Sequence, residues 1–264
     1  MSWTTEAMIG FDLETTGVDP MTCLPVSFAL VYMNGSEVTK VRTALINPGI
    51  PIPEGATEVH KITDEMVQER GGTLEASVVG IAGELLAAAY AGVPVVGMNC
   101  RYDLTIIDRL YAGYAAGSSM EENEAVAKLL RAFPGAETDR IGLRGDGWNG
   151  NVIDISVIDK KLDKWRKGSR TLLALCAHYG VDLGEAAHTA AGDAEASVRV
   201  ALALAKKYPQ IDTEPYLLHA MQVGWRREWA EDFGAYLAKK GEKLEDDAGD
   251  WPLIGDKGLQ TDVR

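Results

Sequence analysis

The strongest constraint on the fold is a set of three strand-like runs in the first fifty residues. Residues 7–14 (Ala-Met-Ile-Gly-Phe-Asp-Leu-Glu), Pro25 to Met33 and Glu37 to Ile46 are strand patterns, with Asn34-Gly35 as a hairpin turn between the second and third. Residues 47–55 carry Pro48, Pro51 and Pro53 with two glycines, the chemistry of a loop. The pattern then changes period. Helical spacing is expected over 56–69, 74–91 and 103–115, with a short buried strand at Val93–Met98. A strand at Val152–Ser156 and helices over 156–166, 170–179 and 193–207 complete the series. Three strands followed by alternating strands and helices predict an α/β fold with a mixed sheet flanked by helices.

Two segments stand outside that series. Residues 117–150 hold Gly/Ser clusters, acids at Glu121, Glu122 and Glu124, and one helical stretch near 123–133; they read as an inserted excursion. A last helix is expected from Asp212 to Lys240, with Pro215 in its first turn. Met221, Trp225, Trp229, Phe233 and Tyr236 recur at helical spacing and form one apolar stripe. That stripe is expected to pack on the main domain; the competing reading is a partner or dimer surface around Trp225 and Trp229. Residues 241–264 read as an acidic tail anchored by Trp251-Pro-Leu-Ile254. The expected division is therefore a main domain over 1–208 and a C-terminal helical extension over 209–264.

Charge narrows the partners. Acids outnumber bases 39 to 26, for a net charge of −13, which argues against generic electrostatic attachment to nucleic acid by the whole molecule. Locally, residues 160–170 (Lys-Lys-Leu-Asp-Lys-Trp-Arg-Lys-Gly-Ser-Arg) carry six bases and one acid, a candidate phosphate-tracking patch with Trp165 available for stacking. The bland alternative is a solvated basic face. Cys23, Cys100 and Cys176 are widely spaced and contain no Cys-x-x-Cys pair, which excludes a disulfide framework and fits a reducing cytoplasm. No apolar run is long enough to span a membrane, and the first residues carry no secretion signal, so a cytoplasmic protein with no membrane partner is expected.

Three short constellations carry chemistry. Asp12 and Glu14 lie two apart at the end of the first strand, so both point to one face, roughly 6.6 Å apart along it, while Ile9, Phe11 and Leu13 take the other. Asp-x-Glu alone is weak: it recurs at 193/195 and 212/214, but only the first copy follows an apolar strand and runs into Thr15-Thr16-Gly17. Asp103 follows the strand at 93–98, where open α/β sheets place ligands. His188 precedes Asp193 at the opening of a late helix. Each has a bland reading as a first-turn helix acid or a surface histidine.

Taken in order, Asp12-x-Glu14-Thr-Thr-Gly, Asn99-x-x-Tyr102-Asp103 and His188-x4-Asp193 resemble the motifs of the DnaQ-like DEDDh 3′→5′ exonucleases, the family of proofreading exonucleases and RNase T. Asn47-Pro48, Ile52-Pro53, Ala56, His60-Lys-Ile-Thr63 and Leu172–Gly180 add to the likeness, which spans roughly residues 7–205. The resemblance implies a ribonuclease H-like fold and two divalent cations, Mg²⁺ or Mn²⁺, suited to an all-carboxylate donor set. It implies that Asp12 bridges both ions, Glu14 and Asp193 hold one and Asp103 the other. By the same resemblance His188 is the general base, and Leu13, Thr15, Thr16 and His60 meet the terminal nucleotide. The implied substrate is the 3′ end of single-stranded or frayed DNA, and the implied products are nucleoside 5′-monophosphates. Trimming of RNA on the same site is the alternative activity, and a non-catalytic nucleic-acid-binding or tethering module is the rival from another class. The implied setting is a bacterial or bacteriophage enzyme, with a polymerase or a second copy docking at the Trp225/Trp229 helix. Departures are Met98 where the family often has His, Lys61 for Gly and Tyr102 for Phe. None removes a metal ligand or the base.

Overall fold

A computed structural model describes residues 2–115, 150–182 and 189–255. The expected excursion at 117–150, except Gly150, lies outside the described residues, as does His188.

The first three strands are β1 (Ala7–Thr15), β2 (Pro25–Asn34) and β3 (Glu37–Asn47), an antiparallel meander. β4 (Gly72–Thr73), β5 (Val95–Gly97) and β6 (Val152–Asp154) complete a sheet in the order β4-β3-β2-β1-β5-β6. β5 runs parallel to β1 and β6 parallel to β5, so their C-terminal ends share one edge of the sheet. The helices are α1 (Glu54–His60), α2 (Asp64–Arg70), α3 (Leu74–Tyr90), α4 (Cys100–Ala115), α5 (Ile155–Leu162), α6 (Leu172–Tyr179), α7 (Ala190–Lys207) and α8 (Pro215–Ala238). The expected mixed α/β sheet is the one observed.

Both faces of β1 are covered. Ile9, Phe11 and Leu13 join a core with Ile81, Leu85 and Ile107 of α3 and α4. Met8, on the alternate face, joins a second core with Val198, Leu204 and other residues of α7. The face carrying Asp12 and Glu14 is therefore also packed, and the carboxylates occupy only its C-terminal end.

Element boundaries shift for local reasons. The 56–69 pattern splits into α1 and α2 because Lys61 adopts a left-handed conformation (φ 61°) that closes α1, and Thr63 then caps α2 by accepting from the Met66 amide. The strand at 152 stops at Asp154, whose side chain accepts from the Ser156 amide and starts α5. α5 ends at Leu162, well short of 166, and the Arg170 guanidinium takes the carbonyls of Asp163 and Lys164 in the turn beyond it.

α8 corrects the expected apolar stripe. Its most buried residues are Leu218, Gln222 and Arg226. The reason is β6, an edge strand whose backbone needs partners. Gln222 accepts from the Asp154 amide and donates to the Val152 carbonyl, both at 2.8 Å, and His219 Nδ1 accepts from the Val152 amide at 3.1 Å. Of the expected stripe, Trp225 packs against both cores, whereas Phe233 and Tyr236 stay exposed. The segment after α8 is held by more than its expected anchor. Trp251 and Leu253 are buried, Arg101 donates to the Asp247 carbonyl, and the Ile254 amide donates to Thr105.

Candidate active site

Gly10 decides how closely α7 approaches β1. A Cβ there would lie 2.6 Å from the Ala194 carbonyl oxygen and 3.0 Å from Val198 Cγ2. Only glycine lets the first turn of α7 rest on the strand. Thr189 starts that helix by accepting from the Gly192 amide at 3.1 Å, which fixes Asp193 in its first turn. As a result Asp12, Glu14 and Asp193 each offer an oxygen, all within 4.8 Å of one another.

Asp103 arrives from the other face of the sheet. Gly97 passes so close to β1 that a Cβ would meet the Phe11 carbonyl oxygen at 2.9 Å, and Asn99 turns the chain at φ 59°. Asp154 accepts from the Asn99 and Cys100 amides, each at 3.0 Å, and so pins the start of α4. One turn on, Asp103 is 5% exposed and accepts from the Leu13 amide at 3.2 Å. It stands beside the three-carboxylate group rather than within it.

Electrostatically the site is a concentration of like charge. Burial, then repulsion from Asp103, Glu14 and Asp193, holds the Asp12 carboxyl well above the usual range. Burial, then Asp193, pushes Glu14 up to about 7. Burial raises Asp103 strongly against the amide hydrogen bonds that oppose it. Among the described residues, no lysine or arginine is a leading cause of any of the three shifts. Desolvated acids without a cation favour neutralisation, by protons or by a metal ion. An all-oxygen donor set of this kind fits a hard divalent cation such as Mg²⁺ or Mn²⁺.

The remaining residues singled out from the sequence fall as follows. Leu13 is buried in the α3/α4 core. The Thr15 hydroxyl bonds Tyr102 Oη at 2.7 Å and the Gly17 carbonyl at 2.8 Å; Thr16 accepts from the Leu24 amide at 3.0 Å. Both hydroxyls are thus engaged within the turn that follows β1. His60 is buried, with Nδ1 accepting from the Ile62 amide at 3.0 Å, and burial lowers its pKa. Among the described residues its Nε2 meets no partner at full hydrogen-bond geometry, and a weaker contact with the Thr15 backbone opposes the shift.

Sequence reasoning passed over Gly10, Asp154 and the Tyr102 hydroxyl. An aspartate ending one strand two residues before Ser156 is a recognisable helix cap, but its reach to Asn99 and Cys100 depends on β6 lying beside β5. The basic run over 160–170 is also different from its expected form. Arg166 and Arg170 both pair with the fully buried Asp159, Lys161 pairs with Glu228, and Lys164 pairs with Asp232. Two of the six bases are therefore tied to a buried acid of the fold.

The mixed sheet flanked by helices is the ribonuclease H-like fold, and comparison with known proteins finds exonucleases that share it. A family model described as an exonuclease (RNase_T) matches residues 9–91. A DNA polymerase III of PolC type from Lacticaseibacillus paracasei is 27% identical over 197 residues, covering 75% of this chain and 11% of that protein. The chain thus spans about a tenth of that relative's length. Escherichia coli Exonuclease I in complex with a dA16 oligonucleotide shares the fold with a TM-score of 0.57 at 16% identity, over 78% of this chain and 42% of that one. Exonuclease I from Methylocaldum szegediense gives 0.52 at 20% identity, over 86% and 44%. Together these findings show similarity to exonucleases, in sequence over residues 9–91 and in fold over most of the chain.

Proposed function

We propose that this chain is a metal-dependent 3′→5′ exonuclease that removes nucleoside 5′-monophosphates from single-stranded or frayed DNA. The observation that carries the reading is the convergence of Asp12, Glu14 and Asp193 within 4.8 Å, with the buried Asp103 beside them. Those four acids would hold two divalent cations, Mg²⁺ or Mn²⁺, which supply positive charge to a phosphate undergoing in-line displacement. His188, by its motif, takes the proton of the attacking water; the water oxygen joins phosphorus as the bond to the 3′ oxygen breaks. His60 Nε2, buried near the Thr15 backbone and without a well-formed hydrogen bond among the described residues, is a polar atom that a substrate group could engage. Leu13, Thr15 and Thr16 shape the turn on which the terminal nucleotide would rest.

Single-stranded DNA is favoured because Exonuclease I, which shares this fold, is found with dA16 and dT13 oligonucleotides. The PolC-type relative is a polymerase, which favours a proofreading or repair setting in a bacterial cytoplasm. We assign the catalysis to residues 1–208, including the 117–150 excursion, and a supporting role to 209–264. Among the described residues, no helix is long and apolar enough to cross a membrane.

The test uses 3′-labelled DNA and RNA strands of one sequence, incubated with Mg²⁺, Mn²⁺ or EDTA. Labelled mononucleotide from DNA, abolished by EDTA and by Asp12→Asn, is the expected result. The loss in the variant should exceed the roughly 10–100-fold typical of outer-shell changes at metal sites. Release from RNA alone would replace the substrate, and release from neither strand would overturn the activity.

A further inference from the structure

Two features that lie apart in the sequence meet in the fold. The basic run at 160–170 and the aromatic series on α8 form the walls of one groove, of about 540 Å³. The Trp229 ring sits between two cations, with Lys160 Nζ 4.8 Å and the Arg226 guanidinium carbon 4.5 Å from its centre. Trp229 stacks on Phe233 (5.4 Å, 17° between planes), and Phe233 on Tyr236 (6.1 Å, 20°). Trp165 stands in the opposite wall and is 86% exposed. Five cations and two acids line the groove, in a chain whose net charge is −13. It is a cationic strip on an acidic molecule.

Near-parallel, solvent-accessible rings among lysines and arginines are what bases stack on and phosphates follow. Exposed aromatics in a cluster are also costly to leave in water. We propose that this groove is a second binding site, for the single-stranded DNA upstream of the 3′ end at the carboxylates. The proposal rests on the exonuclease reading above. Position supports it: α5 leaves β6 at the sheet edge that carries Asp12 and Glu14, and β6 lies two strands from β1, about 10 Å at ordinary spacing. A strand whose 3′ end enters at the carboxylates reaches the groove within a few nucleotides. Charge supports it as well. The Lys161–Glu228 and Lys164–Asp232 pairs are solvent-exposed, and such pairs are easily exchanged for a phosphate. Lys160 makes no ion pair among the described residues, which leaves its charge to the groove.

The test is fluorescence anisotropy on the full chain in EDTA, where the carboxylates repel DNA. Thymidine oligonucleotides of about 20 and about 4 residues are compared. The longer strand is expected to bind at least about tenfold tighter, as stacking of a base or two would give. A Trp165→Ala/Tyr236→Ala double variant, altered only at exposed positions, should lose that advantage while keeping the wild-type melting temperature. Lys164→Ala should lower the slope of log affinity against log salt by about one. Equal affinity for the two lengths, or an undiminished advantage in the double variant, would overturn the groove. So would preference for a uridine strand, or a dimer in light scattering that the double variant dissolves. Cleavage is assayed separately on the short strand with Mn²⁺: its absence sinks the exonuclease reading and leaves the anisotropy result to stand alone.

Discussion

Two sets of acids in this chain have contrasting surroundings. Asp159, fully buried, receives Arg166, Arg170 and the Tyr179 hydroxyl, the last at 2.6 Å. Asp154 is likewise buried and takes backbone amides and the Trp251 indole. Asp12, partly buried, and Asp103, buried and accepting from the Leu13 amide, face further carboxylates. Burial alone therefore does not mark a functional acid. What separates the sets is their neighbours among the described residues: donors of the fold meet Asp159 and Asp154, whereas the acids of the proposed site lie close to one another.

The largest expected effect comes from removing compensation. Asp159→Ala strands two arginines and should destabilise the chain by about 3 kcal/mol in urea denaturation. Asp12→Asn should do the reverse in EDTA at pH 8, raising stability, because it removes a repulsive charge. Loss of stability in both variants would erase the contrast between the two sets.

Gly10→Ala tests the approach of α7. The added methyl meets the Ala194 carbonyl and must push the helix away, at a cost of about 1–3 kcal/mol. Asp193 moves with the helix, so Mn²⁺ affinity should fall as well, as read by titration calorimetry. Asp154→Ala should cost about 2 kcal/mol through the stranded Asn99 and Cys100 amides, and should lower cleavage without abolishing it.

A smaller effect is expected from pH. The Glu14 pKa is raised from 4.5 to about 7, so its contribution to stability is fully present below 4.5 and is lost as pH rises through about 7. Urea midpoints in EDTA should therefore fall between pH 5 and 8, less steeply in Asp12→Asn, whose loss removes a neighbouring charge. Saturating Mn²⁺ should flatten the slope in wild type.

Much of this was legible in the sequence, though unevenly. The period-2 runs and the Asn34-Gly35 turn expose β1 to β3 because a meander is local, and the motif order gives the acids because each sits just past a strand or at a helix start. Gly10 was hidden because its role depends on a helix that begins 180 residues later. The face of α8 was misjudged because apolar spacing assumes an apolar partner, whereas an edge strand selects Gln222 and His219. The structural share of the basic run was hidden for a similar reason: Asp159 lies within α5, and only the fold shows that it captures Arg166 and Arg170 from the turn beyond.

The central claim, that the carboxylates gathered at the end of β1 hold a divalent cation, is tested most directly by melting wild type and Asp12→Asn at pH 8 in EDTA and in Mn²⁺. At about a hundred times its dissociation constant the ion should add roughly 2.7 kcal/mol to wild type, a rise of several degrees. Asp12→Asn should melt above wild type in EDTA and respond little to the ion. A wild type indifferent to Mn²⁺, with a variant that melts below it in EDTA, would contradict the account.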